Sequence, residues 1–475
     1  MTAEAGRGHI AVVLYGSRGD IQPGVCLALE LLERGHRVSV AAPPNLVEFA
    51  RTLGVDEVYP IGTDTHTAWS SEAAADSRGR SPIARIRYAL TTVRAGFAAF
   101  DRSLIGLFVD DDAPLRDTDL VVAAPLCQDR CLAVADKLGI GLVVLRFGPM
   151  SENGVLGAVP GLTDSWSPEW KRRSWRLADR VTWLATGWNE ASFRRRLGVP
   201  RAFGPLPKRL SALGIRQIQA YDPAIVPGVA EEWGAVKPVV GFFDLAPGQR
   251  TALGESGGDS AELVSWLDAG EPPVFVSFGS MPIDDPEHLT SLFAGVAAEL
   301  GCRVLFSLGP RRGIDPANPG VYHVGAVDHS VVLPRCRAAV HHGGAGTTAA
   351  GLRAGLPTMI CSVTADQPFW ASRIRALGVG FGARLRGLTA EVAGDGLRSI
   401  LDPEVVFAAK RFAESLVAAD RAVAAAAGVV ESEMAAGRRP LPARFSPAPA
   451  RPSLLRRPGL GVQALHPANC EDTSV

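Results

Sequence analysis

The chain has 475 residues, 47% hydrophobic and 21% charged, with Lys+Arg 49 balancing Asp+Glu 49. At ~100 to 200 residues per domain, this gives room for two large domains with substantial cores and excludes a small disulfide-stapled scaffold. Without a net field, capture of nucleic acid by bulk charge is excluded as well.

The first 45 residues predict a βαβ unit. The apolar run Ile10 to Leu14 leads into a Gly-rich turn, Gly16 to Asp20, then a helical stretch with Pro23 near its start and a second apolar run, Val38 to Ala42. Gly35 stands where a helix C-terminus favours glycine. The alternation repeats in Leu120 to Ala124, the helical Cys131 to Leu138, and Gly141 to Leu145. Such alternation predicts a parallel sheet with helices on both faces.

Two stretches, Gly62 to Phe100 and Gly148 to Pro207, are less regular. The second holds Trp166, Trp170, Trp175, Trp183 and Trp188 beside Lys171, Arg172, Arg173, Arg176 and Arg180. Three readings remain open for it: an amphipathic helix packed on its own domain, an apolar acceptor pocket, or a surface that touches a membrane.

From Gly241 to Asp259 the composition shifts to Gly, Pro, Ser and acid, as in a connector. Strand and helix then alternate again. Strands are expected at Val274 to Phe278, Arg303 to Leu308, Val321 to Val324, Ala338 to His341 and Thr358 to Ser362, and helices at Pro286 to Leu300, Thr347 to Ala354 and Gln367 to Leu377. Helical patterns from Ala390 to Ala435 close the folded part, and a Pro- and Arg-rich tail without periodicity reads as disordered. The expected division is a first domain over 1–240, a linker over 241–260, a second domain with closing helices over 261–436, and a tail over 437–475.

Seven cysteines (Cys26, Cys127, Cys131, Cys302, Cys336, Cys361 and Cys470) are scattered, mostly in apolar segments, which suits buried thiols in a reducing compartment. No signal peptide pattern opens the chain and no run of 18 apolar residues occurs, so a cytoplasmic location is expected.

The strongest motif is Val340-His341-His342-Gly343-Gly344-Ala345-Gly346-Thr347-Thr348, between an expected strand and helix. Its glycines let a ligand approach the backbone, and the free N–H groups of the helix's first turn suit phosphate. His342 and Thr347 add donors, although a plain structural turn explains the same residues. No Lys follows the glycines, so this is not a P-loop. Asp366-Gln367 stands 24 residues after His342 at the end of the next strand, where it shares the crevice and offers the acceptor and donor mix that sugar hydroxyls require. Asp366 also suits a helix N-cap.

The turn Gly16-Ser17-Arg18-Gly19-Asp20 occupies the equivalent place in the first domain. Asp20 reads either as a helix-end residue or as a base for a hydroxyl nucleophile. A helix N-terminus would lower its basicity, so either partial burial would have to offset that effect or the proton must leave late, as the alcohol attacks. Gly254-Glu255-Ser256-Gly257-Gly258 matches G-x-S-x-G without a preceding strand, and Gly378-Val379-Gly380-Phe381-Gly382-Ala383 matches G-x-G-x-x-A but follows a helix. Neither supports a nucleophile elbow or a nicotinamide site. No metal-ligand spacing is present, so no metal is expected.

Together these turns resemble the family 1 glycosyltransferases, above all the bacterial antibiotic and natural-product glycosyltransferases and the sterol glucosyltransferases, whose His-His-Gly-Gly-Ala-Gly-Thr-Thr and Asp-Gln-Pro-Phe-Trp segments this chain shares. The resemblance runs from about Ile10 to about Ala435. It implies an α/β GT-B fold, two doubly wound Rossmann-like domains facing an interdomain cleft. It further implies a metal-independent, cofactor-free enzyme that transfers a hexose with inversion from a UDP- or TDP-sugar to a hydroxyl of a hydrophobic small molecule: a polyketide or glycopeptide, a sterol or another lipid. Asp20 would be the base with Ser17 beside it, and Ser280, His342, Gly344, Ala345, Gly346 and Thr347 would hold the diphosphate. Asp366 and Gln367 would hold the sugar, and Val327 would stand near the nucleobase. Val327-Asp328-His329 replaces the usual Val-Pro-Gln-like turn, which leaves uridine against thymidine open. An epimerase or phosphorylase of the same fold, or a non-catalytic sugar-nucleotide-binding partner protein, are the alternatives. Peripheral membrane contact and a homodimer stay open.

Overall fold

The computed structural model describes residues 7–65, 96–254, 261–279, 283, 285–364 and 366–437. The tail expected to be disordered, most of the 62–100 segment, and residues 255–258 of the G-x-S-x-G match lie outside the described residues.

Strands His9–Val13 (β1), Arg37–Ala42 (β2), Glu57–Pro60 (β3), Leu120–Ala123 (β4), Gly141–Arg146 (β5) and Gln217–Gln219 (β6) form a sheet in the order β3-β2-β1-β4-β5-β6. Every pairing in it is parallel. The central strands β1 and β4 are buried along their whole length, as a parallel sheet covered on both faces requires. β1 connects in one direction to β2 and β4 in the other to β5, so right-handed crossovers put helices Arg18–Glu33 and Gln128–Leu138 on opposite faces.

The second sheet contains Val274–Ser277 (β7), Val304–Ser307 (β8), Gly313–Asp315 (β9), Asn318–His323 (β10), Ala338–His341 (β11), Thr358–Ser362 (β12) and Gly380–Arg384 (β13), in the order β13-β12-β11-β7-β8-β10-β9. It is parallel except for the β9–β10 edge pair. The chain thus has the expected two doubly wound Rossmann-like sheets. β3, β6, β9 and β13 were not anticipated, being short or peripheral. β13 contains the G-x-G-x-x-A match, and its glycines serve packing: a Cβ at Gly380 would lie 2.1 Å from the Thr358 carbonyl oxygen, and one at Gly382 would lie 3.0 Å from the Ala371 Cβ.

Two features cross the expected boundaries. Tyr221, Ile225, Val229, Trp233 and Phe242 form one core with Leu352, Ile360, Phe369, Trp370 and Ile374 of the second half, so the end of the first segment is built into the second domain's packing. Helix Ala419–Ala436, expected with the second domain, instead packs on helix Arg18–Glu33 and β5, with Ala422, Val423, Ala426, Ala427 and Val430 in the first core. Small side chains let the two helices approach closely. Local periodicity predicts such a helix but not its partner, which depends on where the chain returns.

Among the described residues no helix is long and apolar enough to cross a membrane. Ala427 is fully buried in the first core, so Ala427→Leu should overpack it and cost about 1–3 kcal/mol, read as a lower midpoint in chemical denaturation.

Candidate active site

In each sheet the strand order reverses beside the first strand, at β1 between β2 and β4 and at β7 between β11 and β8. Ligands of open α/β sheets bind in the crevice at such switch points. The two halves present their turns to each other there. The Asp366 carboxylate acts electrostatically on Asp20 and the Arg18 guanidinium on His329, and a Cβ at Gly148 would lie 3.8 Å from the Trp370 ring.

The first turn is built around Asp20. Gly16 has φ +134°, and a Cβ there would sit 2.3 Å from Asp20 Oδ2, so glycine is required on both counts. Ser17, the N-cap of helix Arg18–Glu33, donates its backbone N–H and its hydroxyl to Asp20 Oδ2 at 2.8 and 2.9 Å. Oδ1 takes no hydrogen bond among the described residues. Burial raises the Asp20 pKa above the usual carboxylate value and outweighs the two Ser17 bonds, and the Asp366 charge adds to the rise. The offset demanded by the helix N-terminus is therefore present.

The second turn follows β11. His341 is buried and its Nδ1 accepts the Gly343 N–H at 2.9 Å. His342 stands between two glycines from neighbouring strand ends: a Cβ at Gly279 would lie 3.3 Å from its Cε1, and one at Gly344 would lie 2.7 Å from its Nε2. Its Nδ1 is buried without a hydrogen-bond partner among the described residues. Burial lowers the His342 pKa to about 4, so the ring is neutral at neutral pH. Gly343, with φ +92°, turns the chain into helix Ala345–Arg353. That helix has no side-chain cap, and its first backbone bond runs from Thr348 N–H to the Gly344 carbonyl. The N–H groups of Ala345, Gly346 and Thr347 face the turn uncapped. Thr348, rather than Thr347, bonds its hydroxyl to the Gly344 carbonyl, at 2.9 Å.

Asp366 and Gln367 open helix Gln367–Ala376 at the end of β12. Asp366 makes no side-chain cap; its Oδ2 accepts the Trp370 indole N–H at 2.8 Å, and burial raises its pKa. The Gln367 carbonyl oxygen accepts the N–H groups of Val363 and Thr364 at 2.7 and 3.1 Å, so one end of this amide holds the loop. Val327 is buried in the second half's core. Ser280 lies outside the described residues. The structure thus groups His342, Gly344, Ala345, Gly346 and Thr347 in one turn, next to the Asp366-Gln367 turn, and sets Ser17 and Asp20 opposite.

Four supporting residues were missed. Asp328 caps helix His329–Val332 through Ser330 N–H and pairs with Arg250 at 3.5 Å. Arg250, on helix Pro247–Ala252, also pairs with Asp244, which pairs with Arg353 at 3.0 Å. The expected linker therefore contains a helix with a buried arginine, tied to both the Val327–Asp328 turn and the last residue of helix Ala345–Arg353. The only sequence signal was charge in a connector, which reads equally as solvation. Among the described residues, no three His, Cys, Asp or Glu side chains cluster as metal ligands.

Two doubly wound sheets with opposed switch-point turns define the GT-B class. Residues 10–95 match the glycosyltransferase family 28 N-terminal domain, and residues 297–444 match the erythromycin biosynthesis protein CIII-like C-terminal domain. An uncharacterized glycosyltransferase of Mycobacterium tuberculosis is 37% identical over 432 residues, 88% of this chain and 97% of that protein. A sterol 3-beta-glucosyltransferase of Arabidopsis thaliana is 30% identical over 412 residues, 83% of this chain and 63% of that protein. The solved glycotransferase of kitacinnamycin superposes with a TM-score of 0.63 at 20% identity, covering 90% of this chain and 100% of that one. The chain belongs to the GT-B glycosyltransferases and is an enzyme of that kind.

The unfolded chain binds a proton on His342 near the ordinary value of 6.5, but the folded chain does so only near 4. The folded form is therefore progressively disfavoured as pH falls through that window. His342→Asn removes the penalty, so thermal melts should show the variant gaining on the wild type from pH 6.5 down to about 4, with the difference constant above pH 7.5.

Proposed function

We propose that this glycosyltransferase moves a hexose from a UDP- or TDP-sugar to a hydroxyl of a bulky, largely apolar small molecule, with inversion and without a metal ion. The carrying observation is the His342 Nδ1, buried and without a hydrogen-bond partner among the described residues, beside an uncapped helix N-terminus. Unpaired buried polar atoms are costly, and a diphosphate would satisfy His342 together with the N–H groups of Ala345, Gly346 and Thr347.

In this reading Asp20 Oδ1 takes the proton of the acceptor hydroxyl as its oxygen attacks the anomeric carbon. The bond from that carbon to the diphosphate breaks on the opposite face, and its electron pair leaves with the phosphate oxygen. The helix N-terminus and the neutral His342 N–H stabilise that oxygen. Ser17 holds Oδ2 through its N–H and hydroxyl, which would leave Oδ1 for the acceptor. Asp366 accepts from sugar hydroxyls, and Gln367 shapes the same end through its loop. An apolar acceptor is supported by Leu126 and Met150, exposed on the loops after β4 and β5 at the cleft end of the sheet, and by the relation to a sterol glucosyltransferase.

Release of nucleoside diphosphate from UDP-glucose or TDP-glucose in EDTA, with water as the slow acceptor, tests the reading. Asp20→Asn should lower turnover by about 10²–10⁴-fold with nucleotide affinity nearly unchanged, and should abolish an acid limb of kcat/KM that lies above the ordinary carboxylate value of 3.8. Gly344→Ala should displace His342 and weaken UDP or TDP binding by about 10-fold or more in titration calorimetry. Loss of affinity in Asp20→Asn equal to its loss of turnover would remove Asp20 as the base.

A further inference from the structure

Helix Pro168–Arg196 exposes an apolar face. Trp170, Leu177, Val181, Leu184 and Trp188 are each between 50% and 67% exposed. At ~100° per residue their spacings of seven, four, three and four place all five within an arc of roughly 60°. The ridge is therefore continuous over roughly 27 Å, and Trp166 extends it with its ring 6.5 Å from that of Trp170. Exposed apolar surface of this extent marks an interaction site.

The helix is held firmly beneath the ridge. Trp175 is buried and donates its indole N–H to the Leu156 carbonyl at 2.8 Å. Near its end, Arg194 pairs with Asp136 and Arg196 with Asp101, while Glu190 pairs with Arg209. The ridge is thus a fixed feature of the surface.

Charge identifies the occupant. The helix has seven arginines and one lysine against three acids, in a chain with no net charge. Arg173, Arg176 and Arg180 line one edge of the ridge, with the Arg173 guanidinium 4.7 Å from the Trp170 ring centre. Arg173 and Arg176 pair with Glu169 and Glu152; Arg180 and Arg195 make no ion pair among the described residues. Tryptophans at both ends, aliphatic residues between them and arginines alongside form the pattern of a helix lying in a lipid interface. A second copy fits less well, because an antiparallel two-fold pairing would set the arginine edge against itself.

We infer that this face docks on an anionic lipid bilayer, with Leu177, Val181 and Leu184 entering the acyl boundary, Trp166, Trp170 and Trp188 at headgroup level, and the arginines on lipid phosphates. Flotation of the full chain with phosphatidylcholine vesicles, with and without about a third phosphatidylglycerol, tests it. The wild type should float with the anionic vesicles, weakly or not at all with the neutral ones, and less as salt rises. The double variant Leu177→Glu, Leu184→Glu should lose at least about 10-fold of that binding, and Arg180→Glu should reduce it several-fold. Melting temperature and the thermal shift with UDP or TDP, read in parallel, should match the wild type in both variants. These controls separate failure of the docking surface from failure of the donor site. Absence of vesicle binding, binding indifferent to the glutamates, or a wild-type dimer that the glutamates dissociate would each overturn the inference, the last in favour of a homodimer.

Discussion

Two helix N-termini face one cleft, and they are satisfied in opposite ways. Helix Arg18–Glu33 begins with its own anion: Asp20 lies in its first turn and holds the Ser17 N–H and hydroxyl. Helix Ala345–Arg353 begins with no side-chain cap. Both turns follow a buried parallel strand at a switch point, so the fold alone would make them alike. The difference lies in a few residues. A carboxylate completes the first turn and leaves one oxygen for a proton, whereas glycines and a neutral histidine leave the second open to an anion from outside. In the proposed reaction that asymmetry separates the base from the leaving-group site.

The relative placement of the turns depends on the middle of the molecule. Val240, Phe243 and Leu245 still belong to the first core, to which the chain returns with helix Ala419–Ala436, and the two crossing regions are joined where Asp222 Oδ2 accepts the Val417 N–H at 2.7 Å. A Cβ at Gly241, which has φ +118°, would lie 2.8 Å from the Ala422 Cβ, so the crossings touch through backbone and small side chains. Asp244 sits beside them and links Arg250, and through it Asp328, to Arg353. Asp244 and Arg353 also act electrostatically on Cys26 in the helix that Asp20 opens. Shared packing through Trp233, Phe242 and Trp370 resists separation of the halves, while the charged contacts fix direction. Interdomain rotation here would have to rearrange an apolar core and a partly buried ion-pair chain together.

The sequence made the fold legible where the physics is local. Fully buried strands such as Val274–Ser277 and Thr358–Ser362 hold three consecutive apolar residues each, and Gly343-Gly344 before a helical pattern announced a strand-to-helix turn. Edge strands β3, β6 and β9 escaped because segments of three or four residues are too short to show a period. The site was legible in its residue types and in the spacing from His342 to Asp366, but not in its second layer. That Asp366 would bond Trp370 instead of capping its helix, or that the Gln367 carbonyl would hold Val363 and Thr364, follows from rotamers set by tertiary packing. Arg250 and Asp244 lie in the stretch read as a connector, and their partners, Asp328 and Arg353, stand far along the chain. The tryptophan-rich segment shows the same limit. Periodicity predicts its helix, but only the structure separates buried Trp175 from exposed Trp170 and Trp188.

In the proposed reaction, desolvation in the cleft would let a carboxylate at a helix N-terminus serve as a base. Asp20 and Asp366 are both desolvated, each above the usual carboxylate range, and the Asp366 charge adds to the rise at Asp20. A bound sugar would stand near both, its hydroxyls donating to Asp366 while positive character develops at the anomeric carbon. Hydroxyl donors stabilise the ionised form of Asp366 and keep its negative charge in place. That charge continues to favour protonation of Asp20 during the step in which Asp20 must take a proton. The donor half would then contribute to the basicity of the acceptor half, and the contribution would be largest when the cleft excludes water, since the lower dielectric strengthens the interaction between the two groups. In the proposed reaction, proton transfer coupled to bond cleavage would rest on the opposition of the two turns and would require no strongly basic residue in either of them.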